Sequence, residues 1–488
     1  MFEGSGVKMT SKDILVFMSD QHSPIFSSFE GGIVRTPNME KLCEDGTSFT
    51  QAYTPCPLCV PARISMLLGR YPYHTGMYSN DGAIPETSPT FIHSLVEAGY
   101  ETVLIGRMHF IGSNQRHGFT KRLVGDVTPV TWNRPADKLA EERGVFFKCY
   151  SDPGCLGVIG GGNSPVLEYD KDVINAALDY LSKPHEKPQF ILVGTYGPHF
   201  PYTAPPELYK YYKELIDIPE SFNNPPGFLE PLYKNRIKEV SQETLVKARA
   251  AYFGMIETID KQMGEVREAF NQYLKTNRKE GIFAYISDHG DQVGDRRIFG
   301  KQTFFETSAR VPMIFEGKDI LKGQKMESPV SLIDLGSTLC ELAGATLPAK
   351  QDGVSLVPSL CEGKTDETRT VFSELMLRYN KEPFLSTMVR RSDFKYIRHH
   401  GYEEYDMLFN LADDPEELSN VAASFNDKVK EMAALIPSDL NPEKILNDRL
   451  DYIESVKLVK AWEQAAGVQE TERWQNTCDE ARKMPKVQ

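Results

Sequence analysis

Cysteine is scarce in this chain: there are eight in 488 residues, and only Cys56 and Cys59 are closely spaced. That excludes a small secreted scaffold held together by disulfides. Positive charge is also short, since 55 Lys and Arg against 68 Asp and Glu leave a net charge of −13. A nucleic-acid binder carries a basic stripe, and an anionic membrane surface repels such a chain, so neither partner is expected. A small anionic substrate is not excluded, because a local basic pocket outweighs the global sign at short range. No apolar run reaches the length of a membrane-spanning helix. The opening MFEGSGVKMTSKD lacks the apolar centre of a signal peptide, which makes a cytoplasmic location the expectation. Internal repeats and low-complexity segments are absent as well.

What is present is a set of short apolar runs rich in β-branched and aromatic residues: ILVFMS (14–19), TVLIG (102–106), FILVGTY (190–196), IFAYIS (282–287) and VPMIF (311–315). Amphipathic segments lie between them, at 172–181 and 246–266. Buried strands alternating with helices predict an α/β fold with a mixed, mostly parallel sheet flanked by helices. Near residue 365 the strand signals become more polar, at 369–375, 383–391 and 394–399. This predicts a catalytic domain over 10–365, a smaller C-terminal α+β subdomain with an antiparallel sheet over 366–440, and a helical tail over 441–488. In the tail Leu446, Leu450, Ile453, Val456, Val459 and Trp462 form a helical stripe, expected to dock on its own subunit, with assembly into a homo-oligomer as the second use of the tail.

Two strands end in carboxylates: ILVFMS runs into Asp20-Gln21-His22, and IFAYIS into Asp288-His289-Gly290-Asp291. Open α/β sheets bind ligands beyond the carboxyl ends of their strands. A lone Asp after a strand is usually a cap or turn residue. Two of them, with Gln21 and His289 beside them, offer several oxygens and one imidazole, a donor set suited to Ca²⁺ or Mn²⁺ more than to a thiolate-rich zinc site.

The stretch PCPLCVPARISMLLGR (55–70) admits three readings. A zinc clip needs a second ligand pair, and no second Cys-x-x-Cys exists. A redox pair gives Pro61 and Arg63 no role. In the third reading Pro61 occupies a first helical turn and Gly69 closes the helix, so Cys59 sits at a helix N-terminus with Arg63 one turn on along the same face. The positive dipole end and Arg63 then both favour an anionic centre near Cys59.

Cys59-Val60-Pro61-Ala62-Arg63, followed by Leu67-Leu68-Gly69-Arg70, resembles the signature of the type I sulfatases of the alkaline phosphatase superfamily. Ala62 and Leu68 depart from residues common in that family. GRMHFIG (106–112), GPHFPY (197–202), SDHGDQVGDRRIFGKQTFFETSARVPMIF (287–315) and LFNLADDPEELSNVA (408–422) resemble further segments of it in the same order. Gln21 and His289 place the chain near the choline-sulfatase, phosphonate monoester hydrolase and arylsulfatase side of the family.

The resemblance implies an alkaline-phosphatase-like fold and hydrolysis of a sulfate monoester of a small organic molecule. It implies that a maturation enzyme converts Cys59 to formylglycine, whose hydrate is the nucleophile. One divalent metal, Ca²⁺ or Mn²⁺, is then held by Asp20, Gln21, residue 59, Asp288 and His289. Arg63, Arg107 and Lys301 become the cationic clamp, His199 the acid for the leaving alcohol, and His109 the partner of the hydrated aldehyde. His22, His74 and His93 are expected to be structural, with His22 near the metal loop, and Asn80 and Asp81 to line the pocket. Two alternatives stand beside this: a phosphonate or phosphate ester hydrolase on the same scaffold, and a catalytically silent anion-binding protein with an unmodified Cys59. Substrate choice is assigned to loops such as 112–165 and to the C-terminal region.

Overall fold

The computed structural model describes residues 12–128, 154–467 and 486–487. Residues 10–11 of the expected catalytic domain, 129–153 of the expected specificity loop, and 468–485 and 488 of the tail lie outside the described residues. The central sheet has eight strands: β1 (Asp13–Asp20), β2 (Gly46–Phe49), β3 (Glu101–Gly106), β4 (Lys121–Arg122), β5 (Gln189–Pro198), β6 (Gly281–Ser287), β7 (Met313–Gly317) and β8 (Gln324–Met326), in the order β8-β2-β7-β6-β1-β5-β3-β4. β1 pairs in parallel with both β5 and β6, and β3 with β5. β7 runs antiparallel to β6 and β2. The sheet is therefore mixed and mostly parallel, as its apolar runs predict.

Alternation along the strands divides the core into two layers. Ile14, Val16 and Met18 of β1 face one side, where they join Leu104, Leu192, Ile282 and helix α1 (Cys59–Leu68). Leu15 and Phe17 face the other, with Val103, Ile191, Phe283 and the helices α2 (Pro165–Leu181) and α3 (Gln242–Asn277). α2 and α3 contain the amphipathic segments read from the sequence and extend beyond them.

The C-terminal sheet, β9 (Thr370–Tyr379), β10 (Glu382–Arg391), β11 (Phe394–His399) and β12 (Met407–Asn410), is antiparallel throughout. One of its faces packs Val371, Leu375, Met388 and Ile397 against Tyr53, Cys56, Leu58, Phe304 and Phe305, so the sheet supports the loop that leads into α1. The tail forms α4 (Pro442–Ala466). Its apolar stripe does not behave as the spacing predicts: of that set only Val456 is buried, while Leu450 and Trp462 are 48% and 61% exposed. The helix is tied to the body by Ile445, which lies outside that stripe and packs with Tyr78, Leu385 and Leu440, and by polar contacts: Arg449 forms an ion pair with Asp81 and the Tyr452 hydroxyl donates to the Asp81 carbonyl.

Candidate active site

The site lies beyond the carboxyl ends of β1, β5, β6 and β3. Asp20 is the last residue of β1, and Asp288 follows β6 directly. Between these two strand ends stands the N-terminus of α1. Leu58 is its N-cap in extended conformation, and Gly69 closes it at φ 63, in the left-handed region that favours glycine. Leu58 supplies no side-chain cap, and Asn80 does this from outside: its Oδ1 accepts from the Val60 amide at 3.0 Å.

Asp20, Cys59, Asp288 and His289 each direct one ligand atom to a common point, with all four atoms within 4.8 Å of one another and all four residues buried. His289 Nδ1 lies 3.0 Å from the Gly290 carbonyl, so this nitrogen donates and Nε2 keeps its lone pair, 3.2 Å from Cys59 Sγ. Two carboxylates, one imidazole acceptor and the side chain of residue 59 fit a divalent cation.

Two arginines stand against these carboxylates. Arg63 donates from Nε to Asp288 at 2.8 Å and from Nη2 to Asp20 at 3.0 Å. Arg107 Nε donates to Asp20 at 2.5 Å, and its Nη1 to Asp126 at 3.0 Å and Thr128 at 2.8 Å. Arg107 reaches its place because the chain turns sharply after β3. Gly106 has φ 95, and a Cβ on Gly194 would fall 2.1 Å from the Arg107 carbonyl oxygen. Burial pushes the Asp20 carboxyl up, but Arg107 and Arg63 hold it well below the usual range.

His109 follows Arg107 in a left-handed backbone conformation, φ 56. Its amide donates to Asp126 at 2.6 Å, and its Nδ1 lies 2.9 Å from Arg107 Nη2. On the opposite side Lys301 Nζ lies 2.6 Å from His199 Nε2 and 2.5 Å from Gln21 Oε1. His199 Nδ1 faces the Phe200 carbonyl at 2.7 Å, so Nε2 is the acceptor for Lys301. Burial, with Lys301 adding to it, lowers the His199 pKa well below that of a free imidazole. With Nδ1 donating and Nε2 accepting, the His199 ring is a neutral imidazole in this arrangement.

The residues assigned catalytic or metal-holding roles from the sequence are thus gathered at one place: Asp20, Cys59, Asp288 and His289 at the centre, Arg63 and Arg107 behind them, His109 on one flank, and Gln21, His199 and Lys301 on the other. The contacts of Gln21, Asn80 and Asp81 differ from expectation, and those of His22 do not. Gln21 Oε1 is turned to Lys301, and the Gln21 amide donates to Asp288 at 3.0 Å. His22 stays structural: it is buried, with its ring nitrogens against Tyr285 Oη at 2.7 Å and Ser27 Oγ at 2.9 Å. Asp81 holds α4, and Asn80 caps α1. His74 contacts Asp352 at 2.7 Å, and His93 completes a capping box with Thr90.

The surroundings of Cys56 and Cys59 lend no support to the redox reading. Both are free and buried, and burial drives the Cys59 thiol up to about 11 and that of Cys56 well above its ordinary value. A reactive pair needs at least one depressed thiol. Sequence reasoning misses Asp126 and Asp291. Asp126 lies in Gly125-Asp126-Val127-Thr128, whose Asp-x-Thr turn is the one local sign of it. Asp291 is in plain view, three residues after Asp288, and its partners are not.

Comparison with known proteins agrees with this geometry. The family model described as Sulfatase matches residues 12–345, and that of the N-sulphoglucosamine sulphohydrolase C-terminal region matches 294–444. The chain is 31% identical over 431 residues to a choline-sulfatase of Rhizobium meliloti, covering 84% of this chain and 82% of that one. It is 27% identical to an arylsulfatase of Clostridium perfringens, covering 92% of this chain and 98% of the relative. In fold it matches the phosphonate monoester hydrolase of Agrobacterium radiobacter with a TM-score of 0.69 at 21% identity, over 90% of this chain and 96% of that one. A 2-O GAG sulfatase matches with the same TM-score at 24% identity, over 91% and 94%.

Proposed function

The chain belongs to the sulfatase family and is a sulfuric ester hydrolase, and from that premise we propose that it cleaves the sulfate monoester of a small organic molecule with a formylglycine at position 59 and one divalent cation. The observation that carries the proposal is the convergence of Asp20, Cys59, Asp288 and His289, all within 4.8 Å and buried, at the N-terminus of the helix that bears Arg63. Asp20, Asp288, His289 and residue 59 would hold the cation, with Gln21 Oε1 beside them. The cation would supply Lewis-acid charge to the sulfate oxygens and the modified side chain a hydroxyl nucleophile. Ca²⁺ and Mn²⁺ both suit this donor set.

The chain's own residues do the remaining work. Arg63 and Arg107 fix the carboxylates and bring two buried positive charges to the site, where they stabilise charge that builds on the transferring group. Lys301 offers a third cation and the proton of the Lys301–His199 pair. The proton for the leaving oxygen would come from Lys301, which His199 Nε2 orients by accepting from it. His109 is held by Arg107 and Asp126; its Nδ1 accepts from Arg107, so its Nε2 carries the hydrogen and would donate to the hydrated side chain of residue 59. Burial of the whole set excludes water and strengthens each of these interactions.

Conversion of Cys59 would fall to a maturation enzyme that reads Cys59-x-Pro61-x-Arg63. A cytoplasmic location accords with the six described cysteines, all of them free. Among the described residues no helix is long and apolar enough to cross a membrane.

The test has two arms. Intact-protein mass should fall by about 18 Da relative to the encoded chain, and the matured protein should hydrolyse an aryl sulfate faster than a phenylphosphonate ester. Cys59→Ala should abolish turnover, and Cys56→Ser should keep most of it. An unshifted mass together with no turnover supports the silent anion-binding alternative. A faster phosphonate reaction supports the other hydrolase.

A further inference from the structure

Asp291 lies outside the cluster that would hold a cation and outside the cationic clamp, yet it is fully buried next to both. Its Oδ1 accepts from the amides of Val293 and Gly300, each at 2.8 Å. Its Oδ2 accepts from Gln21 Nε2 at 2.6 Å and from the Tyr202 hydroxyl at 2.9 Å. Two donors thus converge on each oxygen. The first pair closes the loop 291–300, whose next residue is Lys301. The second pair holds the side chain whose other end is bonded to Lys301.

The chemistry of the two ends leaves Gln21 one orientation. A carboxylate only accepts, so the Gln21 group that faces Asp291 must be the NH₂. An ammonium only donates, so the group that faces Lys301 must be the oxygen. The backbone of Gln21 is fixed as tightly. It sits at φ 70, a left-handed conformation costly for a residue with a Cβ. It is kept there by the Asp288 carboxylate on its amide at 3.0 Å and by the Tyr252 hydroxyl on its carbonyl at 2.7 Å.

We propose that Asp291 is a positioning residue of the active site: one carboxylate sets both ends of the Gln21–Lys301 bond, aiming the Gln21 oxygen into the site and fixing the turn that delivers Lys301. This deepens the proposed function and rests on Lys301 meeting the sulfate group.

The test is a cycle of four proteins: the parent, Asp291→Asn, Gln21→Glu, and the two changes together. In Asp291→Asn the Val293 and Gly300 amides keep the side-chain oxygen on their side, which turns the new NH₂ toward Gln21. Gln21 must then reverse and present its own NH₂ to the Lys301 ammonium. In Gln21→Glu two carboxylates oppose each other. In the double variant the side-chain NH₂ at position 291 and the Lys301 ammonium both donate to the one carboxylate at position 21, which restores the pattern. The readouts are the dissociation constant for inorganic sulfate, measured by calorimetry on the metal-loaded proteins, and kcat on an aryl sulfate. Each single variant should lose roughly 10- to 100-fold in both, and the double should recover at least about tenfold over Gln21→Glu, with similar melting temperatures in both. If Asp291→Asn proves insoluble, the comparison of Gln21→Glu with the double variant still decides. A double variant no better than Gln21→Glu alone, or sulfate binding equal in all four, overturns the proposal. The parent's own turnover tests the proposed function separately.

Discussion

His289 turns its Nε2 toward Cys59 Sγ across 3.2 Å, and the same nitrogen stands 3.7 Å from Asp288 Oδ2 and 3.9 Å from Asp20 Oδ1. The ring is oriented by its other nitrogen, which the Gly290 carbonyl engages. An imidazole lone pair beside two carboxylates and the side chain of residue 59 would complete a donor set for a cation. His289→Ala should weaken retention of the divalent metal by at least about tenfold. Competition with a calibrated chelator measures this directly, and unchanged retention would remove His289 from the set.

Arg63 is buried between two acids, at 3.0 Å from Asp20 and 2.8 Å from Asp288. Its planar fork serves both at once, which a single ammonium cannot do. Arg63→Ala should cost about 3–5 kcal/mol of stability, because it takes the arginine from the buried Asp288 carboxylate and leaves Asp20 with Arg107 alone. Arg63→Lys should fall between that and the parent. Added Mn²⁺ should raise the melting temperature of both variants more than that of the parent, since it neutralises the same carboxylates. Urea titration and thermal melts with and without metal report each effect.

Glu374 gives a pH dependence remote from the metal. It is fully buried on β9, where Tyr78 donates to it at 2.6 Å, and burial pushes its carboxyl up to about 8. A carboxyl with a raised folded-state pKa favours the folded protein while protonated. Its contribution is complete below the unfolded pKa of about 4.3, declines by about 1.4 kcal/mol per pH unit above that, and is gone once pH passes about 8. Glu374→Gln keeps an acceptor for Tyr78 and removes the titration. The variant should match the parent near pH 4 and exceed it in stability at about pH 8.5. Denaturant midpoints at the two values test this, and a constant difference between them would refute it.

The parts of the site that a sequence reveals are those close along the chain. Asp20 and Asp288 announce themselves because each ends an apolar run, and strand ends are where a parallel sheet binds ligands. Cys59 and Arg63 share a helical face four residues apart, so a single element places both. Asp126 escapes because it meets Arg107 only after the chain has turned away from β3 and come back, and no periodicity marks that approach. Asp291 escapes for a different reason: its type and place are visible, but its role depends on four donors drawn from three regions. The α4 stripe misleads because its spacing describes a face that could be buried. Burial of that face requires an apolar surface opposite it, and the helix is seated through Ile445 on Tyr78 and Leu385 and through Arg449 and Tyr452 on Asp81.

That seat links the tail to the chemistry. Asp81 takes both terminal nitrogens of Arg449, at 3.2 and 3.3 Å, and Tyr452 donates to its carbonyl at 2.5 Å. The residue before it, Asn80, caps the Val60 amide at 3.0 Å, one position beyond Cys59. The turn 79–82 therefore stands between α4 and the N-terminus of α1. The Arg449 ion pair is partly solvated, with side chains 12% and 26% exposed, so its own worth in stability is at most about 1 kcal/mol. Its effect on turnover should be larger, because freeing the turn loosens the cap on the helix that begins at Cys59, the proposed site of the nucleophile. Arg449→Ala should lower kcat by about three- to tenfold with a melting temperature within a few degrees of the parent. Asn80→Ala, which removes the cap itself, should lower kcat further at a stability cost of about 1 kcal/mol. Combining the two should give little more than Asn80→Ala alone, since the tail acts through that cap. Fully additive losses in kcat would show that α4 reaches the site by another route.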